Sequence, residues 1–335
     1  MAKDVPIMRK RKKIAVVGAG IGGLVSALKL AHEGFEVKVF ERSEYPGGKI
    51  RTLEANSGPI NIGPTVLTML PIFQKLFREV GEDIFDHLEL KEQSILARHW
   101  WSDGTEFDLL TDKNNTFDEI RNVFGSNAAN QYMEFFHTTE KMFTCFEKPV
   151  MKTVSPAPIE ILKEICKTPT VIPALFPFRT LDKYLKSKFS EPKLQQLFGR
   201  YATYVGGSPL NSPALMALVW QAEAKGVWTV KGGISSVAKA IERLAEDRGV
   251  EFIYGHRVIE IQQSKHTVNK VCLDDGTNYE ADAIIFNGDP RALALGLLGE
   301  GLSKVTKKTR NTPRSLSANV WGFESKHVNK NLVHH

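Results

Sequence analysis

Apolar and polar residues at the start of the chain alternate in a way that predicts a strand, a helix and a second strand. Residues 13–17 form a short run rich in β-branched residues, as expected of a buried strand. A glycine-rich turn and an amphipathic helical pattern follow, and residues 36–41 form a second short strand that ends in an acid. This order of elements predicts one βαβ unit, the building block of a parallel sheet.

The turn between the first strand and the helix suits a dinucleotide. Gly18 permits the tight turn, Gly20 lets the backbone approach a pyrophosphate, and Gly23 lets the helix pack closely on the sheet. The helix N-terminus offers free N–H groups and a positive dipole end to the phosphates. Glu41 ends the second strand, where an acid can accept hydrogen bonds from ribose hydroxyls and favours FAD or NAD over a 2′-phosphate. The candidate residues are Gly18, Gly20, Gly22, Gly23 and Glu41.

Two further segments extend this candidate site. Just past the second strand, two adjacent glycines allow the chain to cross close to a diphosphate, with Arg42 and Lys49 supplying positive charge. Residues 50–62 alternate as a hairpin that turns at 56–58 and delivers a Gly-Pro-Thr turn to a helix expected to begin near Thr65. The added candidates are Arg42, Gly47, Gly48, Lys49, Gly63, Pro64 and Thr65.

The pattern changes in the middle of the chain and then returns. Residues 96–109 read as two strands around an Asp-Gly turn, and residues 117–224 are mostly helical. Helix patterns run over 127–147, 158–166, 180–188, 192–203 and 212–224, and strands resume over 250–254, 257–261, 268–273 and 283–286. We predict an α/β fold: a doubly wound Rossmann-type FAD-binding domain (13–95 and 226–292), an inserted, mostly helical substrate domain (96–225 and 293–335) and a basic tail (1–12).

Two apolar segments are less clear. Residues 171–178 are interrupted by prolines, which predicts a loop that is either a buried connection or a segment dipping into a bilayer surface. Residues 317–323 are strand-like. The long uncharged stretch at 201–222 is interrupted by glycine and proline, so it does not predict a membrane-spanning helix.

Composition narrows the class of protein. The 335 residues are 42% hydrophobic and 24% charged, which predicts a globular chain of about two domains. The net charge of +6 comes from basic clusters at 1–13 and 303–314, either solvated or attracted to anionic lipid headgroups. Nucleic-acid binding is not expected, because the basic residues do not line a face. Three widely spaced cysteines and the histidine spacing argue against a metal site and favour a reducing compartment, and no signal peptide precedes the first strand.

These motifs resemble the flavin amine oxidase and phytoene desaturase superfamily, whose members hold extended FAD across a doubly wound sheet. Lys49 stands where relatives usually carry an arginine. Lysine keeps the positive charge but lacks the paired N–H donors of a guanidinium. Residues 63–69, 200–209 and 226–233 resemble the bacterial carotenoid desaturases in particular. The resemblance also implies that backbone groups at Val258 contact the adenine end of the cofactor. It adds Asp289, at the end of the last strand, as a further candidate.

The resemblance implies FAD-dependent desaturation of an acyclic carotenoid of the hydroxyneurosporene or methoxyneurosporene type, with hydride transfer to the flavin. The expected partners are a hydrophobic polyene, a quinone or oxygen as electron acceptor, and the inner membrane, contacted peripherally from the cytoplasm. No nucleophile and base occur together, so no catalytic residue is assigned. Aromatic side chains could line a substrate tunnel or simply form core; they are Trp100, Trp101, Tyr201, Tyr204 and Trp220.

Other interpretations stay open at this point. Another flavoenzyme of the same fold, such as a phytoene desaturase or an amine oxidase, would carry the same glycine motifs. The resembled enzymes continue beyond the length of this chain, which therefore reads as C-terminally truncated, so a non-catalytic FAD-binding remnant is a further alternative. An NAD-dependent dehydrogenase would explain the first glycine turn but neither residues 47–49 nor residues 63–65.

Overall fold

The computed structural model describes residues 11–175, 179–264, 267–326 and 332–333. Its strands are β1 Lys13–Val17, β2 Glu36–Phe40, β3 Thr52–Leu53, β4 Ile60–Asn61, β5 Leu67–Thr68, β6 Leu90–Glu92, β7 Ile95–Trp100, β8 Glu106–Leu110, β9 Val227–Val230, β10 Glu251–Ile253, β11 Val258–Ser264, β12 Thr267–Leu273, β13 Asn278–Glu280 and β14 Ala283–Phe286. Its α-helices are α1 Ile21–His32, α2 Leu70–Glu79, α3 Ile84–His87, α4 Lys113–Phe124, α5 Ser126–Phe146, α6 Pro158–Lys167, α7 Ile172–Leu175, α8 Leu181–Lys188, α9 Pro192–Gly199, α10 Gln221–Ala224, α11 Ser235–Glu246 and α12 Pro290–Ala294. A π-helical turn covers Glu147–Met151, and 3₁₀ segments cover Pro169–Val171, Arg200–Val205, Ala214–Trp220, Glu300–Leu302 and Lys307–Thr309.

A four-stranded parallel sheet, in the order β10-β2-β1-β14, organises the fold. Val17, the last residue of β1, lies beside Phe40 on one neighbour and Phe286 on the other. The carboxyl ends of these three strands therefore meet at one edge, where parallel α/β sheets bind their ligands. The βαβ unit predicted from the first residues is confirmed, and strands from beyond residue 250 complete the sheet around it.

The two faces of this sheet are covered differently. Ile14 and Val16 point to a buried core that they share with α1 and α11, whereas Ala15 and Val17 point to the opposite side. There they pack with the antiparallel sheet β11-β12-β13, so strands rather than helices cover this face. The Rossmann-type α/β fold is confirmed, with helices on one side of the parallel sheet and a small β-layer on the other.

A separate aromatic core lies in the middle of the chain. It joins β7 and β8 to α4, α5, α8, α9 and the 3₁₀ segment Ala214–Trp220. The hairpin at 96–109 and the helices predicted at 127–147, 158–166 and 180–188 are confirmed, while 192–203 and 212–224 are only partly α-helical and end or begin as 3₁₀ turns. The predicted division into two domains stays a prediction.

The uncharged stretch at 201–222 divides into two 3₁₀ segments, separated by residues 206–213. Glycine and proline interrupt the pattern there, as the sequence indicates. Among the residues that the structure describes, no helix combines the length and the apolar character needed to cross a membrane.

The helix expected near Thr65 begins later, at Leu70, so this prediction is wrong. Leu67 and Thr68 instead pair antiparallel with Trp228 and Val227 of β9. The apolar residue at 67 therefore belongs to a strand, and pairing with a distant segment overrides the helical spacing.

Two other expectations need correction. The loop predicted at 171–178 contains the short helix α7, because prolines 169 and 173 both lie in first turns, where a missing N–H breaks no hydrogen bond; residues 176–178 lie outside the described residues. The strand expected at 317–323 is irregular and exposed. It is anchored at its ends, where the Leu316 N–H donates to Gly206 (2.7 Å) and Glu324 accepts from the Ser57 N–H (2.6 Å).

One buried hydroxyl ties the helical core together. Thr139 of α5 accepts hydrogen bonds from Trp220 Nε1 (2.8 Å) and Gln221 Nε2 (2.9 Å) and donates to the Phe135 carbonyl (2.9 Å). All three polar side chains are buried. Replacing the hydroxyl with a methyl group would leave the buried Trp220 N–H without an acceptor and the Gln221 amide with only its long hydrogen bond to the Phe136 carbonyl (3.4 Å).

We expect Thr139→Val to lower the free energy of unfolding by about 1–3 kcal/mol, measured by urea denaturation. Thr138→Val is the matched control, because its hydroxyl bonds only the Glu134 carbonyl one turn back on the same helix. The control should change stability by less than about 0.5 kcal/mol. Equal stabilities for the two variants would show that the hydroxyl of Thr139 does not hold this core.

Candidate cofactor site

The turn from β1 to α1 forms the centre of the site. Gly18 adopts φ +101° and donates its N–H to the Phe40 carbonyl (2.8 Å), which fixes the chain across the end of β2. Gly20 occupies the N-cap position of α1, and no side chain among the described residues caps that helix. The N–H groups of the first turn are therefore available to a ligand, and their dipole favours an anion.

Close packing explains the glycines at 22 and 23. A Cβ added to Gly23 would lie 2.0 Å from the Gly18 carbonyl oxygen, and one added to Gly22 would lie 2.8 Å from Asn287 Oδ1. Gly23 has no room for a side chain, because the helix starts directly against the backbone of the turn, whereas a side chain at Gly22 would have to displace the Asn287 amide.

Glu41 binds the turn through both carboxylate oxygens. Oε2 accepts the Ala19 N–H at 2.8 Å, and Oε1 accepts the Ser43 N–H at 2.9 Å. The residue is 8% exposed, so its charge is held largely out of water by backbone donors. A carboxylate has about four acceptor sites, which leaves capacity for ribose hydroxyls.

The second glycine pair lies directly on the first turn. The Gly47 N–H donates to the Ala19 carbonyl (2.8 Å), and Gly47 forms a parallel bridge with Gly20. A Cβ added to Gly48 would lie 3.1 Å from Gly20 Cα. The two segments thus form a narrow backbone cradle at the N-terminus of α1.

The hairpin β3–β4 brings the third glycine segment to this region. A Cβ added to Gly63 would lie 2.1 Å from the Lys49 carbonyl oxygen, so the two backbones are in contact. Arg42 and Lys49 are exposed, and within the described parts of the chain their side chains form neither ion pairs nor hydrogen bonds. Pro64 and Thr65 follow Gly63 in a loop that leads into β5.

The segment just before Val258 contacts the same edge of the parallel sheet. The Gly255 N–H donates to Ser43 and the His256 N–H to Glu41, each at 3.2 Å. Val258 itself is buried in the core that contains Phe40. The residue predicted on the adenine side is therefore two positions from a backbone contact with the predicted ribose acid.

Asn287 is a residue that sequence reasoning did not select. Its Nδ2 donates to the Gly18 carbonyl at 3.3 Å, and it lies where side chains on Gly20, Gly22 and Gly23 would otherwise point. Its position directly after the last residue of β14 could have identified it. That strand lies beside β1, and both strands end at the edge where ligands bind.

The side chain of Asp289 has other partners. It caps α12 by accepting the Arg291 N–H at 2.9 Å, and it pairs with Arg314 Nη1 at 2.5 Å. The Arg291 N–H and the Arg314 guanidinium hold the pKa of the Asp289 carboxyl below its usual value. The structure does not join this carboxylate to the glycine turn.

A buried polar cluster lies in the helical part of the chain. Glu223 is fully buried and accepts from Arg200 Nη2 (2.8 Å), Tyr201 Oη (2.6 Å) and the Tyr204 hydroxyl. Burial raises the pKa of Tyr201, so its phenol stays a donor. Of the aromatic tunnel candidates, Tyr201 and Trp220 are core residues, Trp101 is half-buried, and Trp100 and Tyr204 are about half exposed.

The arrangement fits a dinucleotide. Three backbone segments meet at distances that only glycine allows, the first-turn N–H groups of α1 have no side-chain cap among the described residues, and a buried acid directly follows β2. Pyrophosphate and ribose recognition require these groups. The fold and the site together define a dinucleotide-binding protein of the flavoprotein type.

Comparison with known proteins gives the family. The chain belongs to the flavin containing amine oxidoreductases, whose sequence profile matches residues 21–321. FAD is therefore its cofactor, and the resemblance to carotenoid desaturases is confirmed by the relatives described next.

Two bacterial relatives are similar over nearly the whole chain. Identity to the hydroxyneurosporene desaturase of Cereibacter sphaeroides is 43% over 323 residues, covering 96% of this chain and 65% of that protein. Identity to the hydroxyneurosporene desaturase of Rhodobacter capsulatus is 40% over 328 residues, covering 98% and 66%. The chain thus spans about two thirds of the length of these curated relatives.

A solved structure supports the fold. An oxidoreductase from Methanosarcina mazei superposes with a TM-score of 0.63, covering 90% of this chain and 65% of that one. The sequences are 19% identical, so this likeness concerns the fold alone.

We expect Glu41→Gln to reduce FAD retention at least tenfold, measured by flavin absorbance per chain after purification and by titration of the apoprotein. The Ala19 and Ser43 N–H groups each donate to one oxygen of Glu41. A glutamine amide nitrogen cannot accept a hydrogen bond, so one of these two N–H groups would lose its acceptor. Glu36→Gln is the control, since Glu36 opens the same strand and is exposed in a long ion pair with Lys13. Full FAD content in both variants would remove the ribose assignment.

A second pair of variants compares two residues of the Asn-Gly-Asp-Pro turn. We expect Asn287→Ala to weaken FAD binding about tenfold, because the Gly18 carbonyl loses its donor and the glycine turn loses a packing partner. Asp289→Ala should instead cost about 1 kcal/mol of stability through the lost cap and leave FAD affinity unchanged. The reverse result, with FAD lost only in Asp289→Ala, would assign the cofactor contact to Asp289.

Proposed function

We propose that this chain acts in FAD-dependent desaturation of an acyclic carotenoid of the hydroxyneurosporene or methoxyneurosporene type. The observation that carries the proposal is the likeness, over nearly the whole chain, to two proteins named hydroxyneurosporene desaturase. The dinucleotide cradle at the sheet edge supports it independently, because it offers the cofactor that such a reaction needs.

The proposed FAD site combines backbone and side-chain groups. The α1 N-terminus and the cradle of Gly20 and Gly48 receive the pyrophosphate, Glu41 receives the ribose, and the backbone near Val258 receives the adenine. Arg42 and Lys49 supply positive charge beside the diphosphate. The remaining members of the proposed site are Gly18, Gly22, Gly23, Gly47, Gly63, Pro64, Thr65 and, subject to the comparison with Asn287, Asp289.

When bound, FAD supplies the hydride acceptor that no side chain provides. The chain's own contribution is to bind, to orient and to keep water out. The aromatic core around α5 gives the helical part an apolar interior, and the Glu223 cluster fixes Arg200–Val205 against it. Both features give the helical part a rigid apolar interior on which a polyene site could be built.

The proposed partners follow from the chemistry of the substrate. A carotenoid dissolves in membranes, so we propose peripheral contact of a cytoplasmic protein with the inner membrane. A quinone in that membrane, or oxygen, would accept the electrons. The exposed basic residues at 303–314 are compatible with anionic lipid headgroups.

The first test is the visible absorption spectrum of the protein purified in detergent, before and after addition of FAD. We expect a flavin band in a one-to-one ratio with the chain, and then conversion of hydroxylated neurosporene in membranes supplied with a quinone. Phytoene and an aliphatic amine serve as comparison substrates, and Glu41→Gln serves as the inactive control.

Each outcome has a defined meaning. Turnover of the hydroxylated carotenoid alone supports the proposal. Turnover of phytoene or of the amine instead would show that the chain catalyses a different reaction of proteins with the same fold. Stoichiometric FAD without turnover of any substrate would support a non-catalytic FAD-binding protein.

A further inference from the structure

We propose that helix α6 docks this protein on an anionic lipid bilayer through one exposed apolar stripe. The stripe consists of Ile159, Leu162 and Cys166 and is called the outer stripe below. The inference rests on the proposed function in one respect, that the substrate is taken from a membrane; the surface itself is argued from its exposure, charge and size.

The apolar residues of α6 form one wide face, and only part of it is covered. Ile161 and Ile165 pack against the aromatic core of the helical part. The outer stripe is the uncovered part of this face: Ile159 is 58% exposed, Leu162 is 53% exposed, and Cys166 is exposed. No residue of α6 is buried. A surface helix normally turns polar residues to water, so an apolar face wider than the core it covers favours a non-aqueous neighbour.

The charges around α6 are ordered as in interfacial helices. At about 100° per residue, Lys163 and Lys167 border the outer stripe, and Glu160 and Glu164 lie beyond them. Lysines in this position can extend their ammonium groups to lipid phosphates while their stems stay with the apolar side. Their present ion pairs, at 2.8 and 2.7 Å, are exposed and easily exchanged for phosphate.

Neighbouring segments enlarge the apolar surface. The π-helical turn and the 3₁₀ segment that contact α6 lead to exposed apolar residues at Met151, Val154 and Ile172. Lys152 directly follows Met151 in the sequence, and Lys148 lies three residues before it. The segments that contact α6 therefore add further exposed apolar residues close to it.

The size of the surface favours a bilayer over a second copy of the chain. Helix α6 has ten residues and is about 15 Å long. A stable protein interface needs roughly 800 Å² on each partner, well beyond one helical stripe. A bilayer accepts a narrow stripe, because the side chains enter the acyl boundary without a complementary partner surface.

A cysteine on the outer stripe allows contact with the bilayer to be measured by fluorescence. Cys166 lies on the outer stripe, whereas Cys145 and Cys272 are buried and burial raises the pKa of both thiols. An environment-sensitive fluorophore can therefore be attached to Cys166 selectively. Its emission should shift to shorter wavelength with vesicles of phosphatidylglycerol and phosphatidylcholine, and much less with phosphatidylcholine alone.

Flotation with the same vesicles tests the stripe directly on the unlabelled, FAD-loaded protein. We expect Ile159→Glu/Leu162→Glu to lower the bound fraction at least tenfold, because two charges would enter the acyl boundary. The matched control is Ile72→Glu/Phe85→Glu, two similarly exposed helical positions elsewhere, which should bind as the parent does. Lys163→Gln/Lys167→Gln should weaken binding to the anionic vesicles only.

Three results would overturn the proposal: equal flotation of the α6 variant and the parent, an aqueous emission spectrum for the Cys166 label on anionic vesicles, or a dimer in sedimentation velocity that the α6 variant dissociates. The last would assign the stripe to a second copy of the chain. Flavin content and circular dichroism of each variant verify folding. Because vesicle binding needs no turnover, a failure of the desaturation assay leaves this test independent.

Discussion

The close approach of three backbone segments at the carboxyl edge of the parallel sheet is the constraint on which the rest depends. Gly18 donates to the end of β2, Gly47 donates to Ala19, and Asn287 closes the turn from the end of β14. Each of these contacts joins residues that are distant in the sequence. The sheet must therefore be complete, with β14 beside β1, before the N–H groups of α1 form a usable phosphate site.

Glu41 connects this geometry to the proposed cofactor site. A carboxylate that is 8% exposed is costly unless donors surround it, and two backbone N–H groups supply that compensation. The same acid thus holds the turn in shape and presents its remaining lone pairs outward. If Glu41 binds the ribose as proposed, loss of its negative charge would lower stability and FAD affinity together.

Local constraints made part of the site predictable from the sequence. A glycine with no room for Cβ, such as Gly23, follows from a strand, a tight turn and a helix that are adjacent in the chain. Long-range pairing was not predictable in the same way. Leu67 fits a helical pattern, yet it forms a strand because it pairs with β9. Asn287 contacts the glycine turn only because β14 lies beside β1. The apolar residues at 317–323 suggested a strand, but no strand among the described residues pairs with them.

The buried Glu223 cluster gives the helical part a fixed relation to the proposed cofactor region. Glu223 lies shortly before β9, and β9 pairs with β5, the strand that follows Gly63-Pro64-Thr65. Its carboxylate binds Arg200 and Tyr201 from the 3₁₀ segment that follows α9. Removing one partner of a buried ion pair is far more costly than the pair is worth, so the three side chains act as one unit. The cluster therefore ties the 3₁₀ segment after α9 to the part of the chain that enters β9.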